Sequence, residues 1–217
     1  MTMINDIDMK CSVCGNISSQ PVLLSTNAWG APDLDLRPPS MQRDTMNTWV
    51  LECPHCGYVA ENLSNELEIP KEFLKTDNYM TCDGIDFKRN LSAIFYKNYL
   101  ISSEKNDIYA CFSNLLHCAW ACDDAEDIEN AKKARKLAIT YIEKLIQENL
   151  EEKNNLLLIK ADLLRRAGQY DQVVEEYSNI ILGEELEDKV ITFHILKARE
   201  SDDACYTVED VIKTLQK

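Results

Sequence analysis

Two short segments, CSVCG at residues 11–15 and CPHCGY at residues 53–58, each hold a pair of cysteines three positions apart. Four thiolates form the donor set of a closed, tetrahedral structural zinc site, which leaves no coordination position for catalysis. A glycine follows each pair and lets the chain turn away with a positive φ. The sequence therefore predicts a zinc ribbon with one structural Zn²⁺, whose ligands are Cys11, Cys14, Cys53 and Cys56.

Other uses of the cysteines are weighed against this prediction. A thioredoxin-like redox pair needs a low-pKa thiol at a helix N-terminus in a βαβ unit, and neither segment has that setting. His55, inside the second pair, is predicted to face solvent. His117, Cys118 and Cys122 fall on one predicted helix. Buried cysteines are usually small core residues, so a core role is favoured and a second metal site is the alternative.

The interval between the two pairs has the composition of an inserted hairpin. Residues 21–26 (PVLLST) and 48–52 (TWVLE) are predicted as short strands, and the stretch between them as a loop. Asp33, Asp35 and Arg37 lie in that loop. They either contact a ligand or form an internal ion pair that fixes the insert. The structural role is favoured, because a long irregular loop needs side-chain hydrogen bonds to hold its backbone.

From about residue 86 the apolar residues recur at spacings of three and four, which predicts amphipathic helices. Residues 156–181 pair two helices around Gly168, and Tyr170 follows. This pattern approximates a tetratricopeptide repeat (TPR), although Val173 replaces the usual small residue; a generic helical hairpin is the alternative. Flanking segments predict about three hairpins in all. Thr207 and Asp210 form a predicted capping box at the start of the last helix.

These patterns predict an α+β fold that is mostly α, in which a small zinc ribbon of short β-hairpins precedes an α-helical, TPR-like hairpin array. The predicted units are a zinc-ribbon head with an inserted loop at residues 1–62, a linker at 63–85 and a helical domain at 86–217. A head of this size has little core of its own. Loss of zinc is therefore expected to unfold the head and to leave the helices largely intact.

The composition restricts the classes of partner. Lys and Arg total 23 against 37 Asp and Glu, and the net charge of −14 repels nucleic acids and anionic membranes. The chain has no apolar run long enough for a signal peptide or a bilayer span. An odd count of nine cysteines without a secretory signal indicates a reducing compartment. We therefore expect a cytoplasmic protein that does not contact membranes; its oligomeric state cannot be read from these patterns.

KCSVCG (10–15), the loop PDLDLRPP (32–39) and WVLECPHCGY (49–58), followed by a helical tail, resemble a bacterial family of unknown function, the DUF2225 type. That family joins an N-terminal zinc ribbon to a TPR-like helical region. The resemblance covers most of the chain and is most specific within residues 10–60. It implies zinc binding by both cysteine pairs and brings no enzymatic activity. The family pattern is also matched by Asp33, Asp35 and Arg37.

A non-enzymatic interaction protein, with the helical region binding a protein or peptide, is the favoured function. The alternative is a nucleic-acid-associated zinc ribbon in transcription or RNA metabolism. Trp29 and Trp49 would then stack on bases, but they are interpreted as core of the head or as its contact with the helices. For an enzyme, Asp123 and Asp124 near His117 form the one cluster found in the sequence, and no phosphate-binding loop or nucleophile motif accompanies it.

Overall fold

A computed structural model describes residues 1–149 and 151–216, and it begins with two antiparallel hairpins. Strand β1 (Met3–Lys10) pairs with β2 (Ile17–Ser25), and the much shorter β3 (Leu51–Glu52) pairs with β4 (Val59–Ala60). Each hairpin carries one cysteine pair in its turn. Two cysteine-bearing turns at two hairpin tips are compatible with a zinc ribbon.

The strands differ in part from the sequence-based prediction. Residues 21–25 are a strand within β2, but their partner is β1 rather than residues 48–52. The side chains of β1 are almost all exposed, so no run of buried apolar residues marks this strand in the sequence. Of residues 48–52, only Leu51 and Glu52 are strand, because Arg43–Thr48 forms a 3₁₀-helix that ends next to them.

Helices make up most of the remaining chain, so the α+β, mostly α class is confirmed. The capping box is also confirmed: the Thr207 hydroxyl accepts a hydrogen bond from the Asp210 backbone N–H, and the Asp210 carboxylate accepts one from the Thr207 backbone N–H. The helices of the described chain are α1 (Asp77–Thr81), α2 (Asn90–Glu104), α3 (Ile108–Asp124), α4 (Ile128–Glu148), α5 (Lys153–Arg166), α6 (Tyr170–Tyr177), α7 (Glu185–Arg199) and α8 (Val208–Leu215).

Helices α2 to α8 form an array in which each helix packs on the next one in the chain. Gly168 has a φ of +77° and turns the chain between α5 and α6, where its backbone N–H donates to the Arg165 carbonyl. Helices α5 and α7 also contact each other directly, as alternate helices of a hairpin stack do. Contacts described below place α3, α5 and α7 on one face, which we call the inner face.

Residues 63–85 are packed against both neighbouring parts of the chain. They form a 3₁₀-helix at Lys71–Lys75 and the short α1, and the side chains of Leu63, Leu74 and Tyr79 are buried. The Tyr79 hydroxyl donates to the Gly57 carbonyl at 2.7 Å. One continuous core runs from the ribbon through this segment into the helices. The division into three units at residues 62 and 85 stays a prediction.

A search of the described helices for a bilayer-spanning segment finds none with the necessary length and apolarity.

Candidate metal centre and docked loop

The two hairpin turns bring four sulfur atoms together. The Sγ atoms of Cys11, Cys14, Cys53 and Cys56 all lie within 4.8 Å of one another. Two pairs that link the turns, Cys11 with Cys56 and Cys14 with Cys53, are each separated by 3.7 Å. A disulfide would hold its sulfurs about 2 Å apart. A tetrahedral zinc with Zn–S bonds of about 2.3 Å separates its sulfurs by about 3.8 Å, so the cluster is compatible with a zinc ribbon.

The two turns have the same backbone pattern. In each, the N–H of the first cysteine donates to the carbonyl five residues later, and the glycine N–H donates back to the first cysteine's carbonyl. These glycines, Gly15 and Gly57, have φ values of +76° and +72°, which side-chain-bearing residues rarely adopt. The equivalent turns present two sulfurs each toward a shared centre, and this arrangement is what a four-thiolate site requires.

Hydrogen bonding and burial shift the pKa values of Cys14, Cys11 and Cys56 in different directions. The backbone N–H of Asn16 donates to the Cys14 sulfur and lowers the pKa of that thiol to about 6. Burial raises the pKa of Cys11 and of Cys56, so these two thiols need a bound cation to stay ionised. A metal that binds all four therefore displaces protons from Cys11 and Cys56, and its affinity rises with pH.

The other histidines and cysteines named from the sequence do not join a metal site. His55 is exposed, as predicted. Cys118 and Cys122 are fully buried in the helical core, so the core interpretation of both is confirmed. His117 packs between aromatic rings, and burial lowers its pKa to about 4. Within residues 1–149 and 151–216, the four-cysteine cluster alone gathers three or more potential metal ligands.

Residues 32–37 (PDLDLR), which we call the docked loop, leave the head and lie on the inner face of the array. Asp35 is fully buried there, and its carboxylate accepts hydrogen bonds from Trp120 Nε1 on α3 and from Arg166 Nη1 on α5, both at 2.8 Å. Burial raises the pKa of Asp35, and the charge of Arg166 opposes that shift. Asp35 thus joins α3 to α5 through one carboxylate.

A second set of contacts fixes the rest of the docked loop. Arg37 Nη2 lies 2.6 Å from both carboxylate oxygens of Asp124, at the end of α3. The Leu34 backbone N–H donates to the Tyr206 carbonyl at 2.8 Å. The Leu34 side chain packs into a small core with residues of α7 and α8, namely Val190, Phe193 and Val211. The docked loop therefore touches three separate parts of the array.

The predicted structural role of the three charged loop residues is confirmed, with one difference. Asp33 pairs with Arg43 at 2.7 Å, within the insert, as an internal ion pair would. Asp35 and Arg37 instead pair with helices far away in sequence. Arg166, which sequence reasoning missed, is the partner that anchors the loop. Its only sequence signal was two adjacent arginines, Arg165 and Arg166, directly after the apolar pair Leu163 and Leu164.

The two acidic residues near His117 in sequence, Asp123 and Asp124, are both bound to arginines. Asp123 accepts hydrogen bonds from Arg135 and from Arg166, the latter at 2.7 Å. Burial alone would raise the pKa of Asp123, but these arginines more than offset it and the pKa is lowered. Asp124 is bound to Arg37. Asp124 therefore holds the docked loop on the array, and Asp123 joins α3 to α4 and α5.

The two tryptophans of the insert behave differently. Trp49 contacts α3, where its ring centroid lies 5.0 Å from that of His117 and 6.5 Å from that of Trp120, which confirms the predicted contact with the helices. Trp29 is 73% exposed, so the prediction that it belongs to the core was wrong. Residues 26–31, around Trp29, form neither a helix nor a strand that would cover the ring.

A buried histidine gives the stability a pH dependence. His194 on α7 is fully buried beside Asp162 and Arg165, and burial lowers its pKa from 6.5 to about 4. Between these values the unfolded chain binds more protons than the folded chain, so the free energy of unfolding falls as the pH is lowered. Each such histidine contributes up to about 1.4 kcal/mol per pH unit. His194→Phe is expected to flatten this slope in denaturation curves measured from pH 7 to 4; an unchanged slope would contradict the assignment.

Comparison of this chain with protein families, curated proteins and solved structures finds no match in any of the three.

Proposed function

We propose that this protein is a non-enzymatic interaction protein, in which a structural zinc ribbon is joined to a TPR-like helical array that binds a protein or peptide. The observation that carries the proposal is the docked loop. The inner face of the array already holds a turn of the chain through a main-chain hydrogen bond, a buried carboxylate and an apolar side chain. These are the kinds of contact through which helical arrays recognise peptides.

Zinc is the proposed metal because of the donor set. Four thiolate donors at tetrahedral spacing suit zinc, and four protein ligands leave no site for a substrate water. The metal in this proposal has a structural role, which is to hold the two hairpins together. The insert leaves the head between these hairpins, so the metal also fixes both ends of the segment that carries the docked loop.

The absence of an enzymatic role is likewise a proposal. It is supported by the use of the acidic residues: Asp35, Asp123 and Asp124 are all bound to arginines. A carboxylate bound to an arginine is a poor general acid or base, because taking up a proton weakens its ion pair. The resemblance to a family without assigned activity agrees with this interpretation.

A cytoplasmic protein or peptide partner is favoured over nucleic acid by the net charge of −14. The test is affinity capture by the tagged full chain from native cytoplasm, divided into nuclease-treated and untreated halves, with an unrelated protein of similar net charge as the control bait. We expect a specific protein to be retained in both halves. Enrichment that disappears with nuclease would replace this proposal with the nucleic-acid alternative.

A further inference from the structure

A cavity of about 550 Å³ opens beside the docked loop on the inner face. The loop's side-chain polar contacts with the array lie near the C-terminal ends of α3 and α5, at Trp120, Asp124 and Arg166. The cavity lies instead near the N-terminal ends of the same two helices. Its main apolar walls are Phe112 of α3, Leu156 and Ile159 of α5, and Leu34 and Leu36 of the docked loop. The docked loop therefore covers one half of the inner face and forms a wall of the open half.

Two large side chains on the edge of this cavity are exposed to solvent. Tyr109 is 70% exposed and Leu36 is 59% exposed. Leu36 has a φ of +66°, in the left-handed region that leucine rarely adopts. The Leu36 N–H donates to the Asp33 carbonyl at 2.9 Å, which keeps the loop in this conformation. Strained residues that expose an apolar side chain are concentrated at binding sites.

The charged groups among the described residues that line the cavity are all negative. The described residues that line it include the carboxylates of Asp33 and Glu152 and the amides of Asn149 and Asn155, and none of them is Lys or Arg. Asp33 already has Arg43 as its partner, whereas Glu152 is exposed. With a net charge of −14 on the whole chain, an anionic ligand is repelled and a cationic one attracted.

We propose that this cavity docks a peptide segment of a partner protein, in which an apolar anchor side chain is flanked by lysine or arginine. The anchor would fill the cavity, and the flanking chain would cover Leu36 and Tyr109 and bring a cation to Glu152. This inference rests on the proposed function and specifies its partner. The exposed side chains on the edge of the cavity favour a chain that runs across that edge over a small molecule enclosed within the cavity.

The first experiment selects random octapeptides displayed on phage against the immobilised full chain. Enrichment of sequences with a large apolar residue next to lysine or arginine is the expected result. Enrichment of acidic sequences would overturn the inference. So would a failure to enrich any sequence when the capture experiment above does retain a protein partner, and the proposed function would then stand without this site.

The second experiment measures the affinity of the most enriched peptide by fluorescence anisotropy. Tyr109→Ala and Glu152→Lys are each expected to weaken binding about tenfold, because the first removes an apolar contact and the second replaces an attraction for a cationic peptide with a repulsion. Ile181→Ala and Glu72→Lys are matched controls, because they remove an exposed apolar side chain and reverse an exposed charge outside the cavity. Equal affinities for all four variants would place the peptide elsewhere and overturn the inference.

A third variant guards against loss of folding. Asparagine tolerates the left-handed region better than leucine, so Leu36→Asn relieves the backbone strain while it removes the apolar side chain. We expect the thermal midpoint of this variant to stay level or rise and its peptide affinity to fall about fivefold or more. A variant that keeps the full peptide affinity would contradict a docking role for Leu36 at the edge of the cavity.

Discussion

Replacing Cys53 with serine is expected to release the metal and to destabilise the whole chain, including the helices. Cys53 is 1% exposed, and its sulfur lies 3.7 Å from that of Cys14 in the opposite turn. A structural zinc contributes on the order of 10 kcal/mol of folding free energy in small zinc-binding modules. With one ligand missing, the remaining donors no longer close a tetrahedral site, and most of that contribution is lost.

The effect is expected to reach the helices because the ribbon does not fold on a core of its own. Leu51, Tyr58 and Val59 belong to the same continuous core as Phe95 and Leu115. Lys97 of α2 also pairs with Glu52 of β3 at 2.6 Å. From the sequence alone, the head is expected to unfold independently. The shared core leads to a different expectation, in which circular dichroism at helical wavelengths weakens together with the loss of metal.

The measurement is the zinc content per chain by elemental analysis, combined with urea denaturation followed by circular dichroism and by tryptophan fluorescence. Cys205→Ser is the matched control, since Cys205 is exposed and lies outside the cluster. A Cys53→Ser protein that keeps one zinc per chain would refute the ligand assignment. A protein that loses zinc but keeps the helical transition at the same urea concentration would show instead that the head folds independently.

Local sequence patterns were sufficient for the features that depend on near neighbours. The cysteine spacing identified all four members of the sulfur cluster, and the three-to-four periodicity predicted a helical region from about residue 86, close to the start of α2 at Asn90. The capping box at Thr207 depends on residues three apart, and it too was predicted correctly. Each of these features is determined by bond geometry or helix pitch, which a short stretch of sequence records.

Features that depend on distant pairs were not predictable in the same way. Asp35 and Arg166 are separated by 131 positions, and nothing local to either residue names the other. The strand β1 was missed because its exposed side chains carry no signal of burial, and its hydrogen bonds depend on the partner β2. The cavity combines residues from the loop and from several helices, so it exists only after the loop has docked.

The docking of the loop leads to the second large prediction, for Asp35→Ala. This substitution leaves the Trp120 N–H without its acceptor and removes one of the two carboxylates that bind Arg166. The Arg166 side chain stays buried, with only 7% of its surface exposed. Removing one partner of a buried ion pair usually costs about 3–5 kcal/mol, because the other charge stays buried. We expect a loss of that size in the free energy of unfolding, measured by urea denaturation at pH 7.

Matched variants separate the effect of the Asp35 charge on stability from the effect of its hydrogen-bond acceptor. Asp35→Asn keeps an acceptor for Trp120 but removes the charge, so it is expected to lose less stability than Asp35→Ala. Lys189→Ala breaks an exposed pair with Glu185, and surface pairs of this kind contribute little to stability. An Asp35→Ala protein that was no less stable than the Lys189→Ala protein would show that the docked loop is not held by this ion pair.

A double-mutant cycle then tests whether the ion pair stabilises the fold or selects one position of the loop. In Asp35→Leu combined with Arg166→Met, no unpaired charge of either residue remains, so the loss is expected to be smaller than the sum of the two single losses. If the double variant is as stable as the native chain but loses affinity for the selected peptide, the pair serves mainly to position the loop beside the cavity. If stability and affinity both persist, apolar contacts such as those of Leu34 are sufficient to dock the loop.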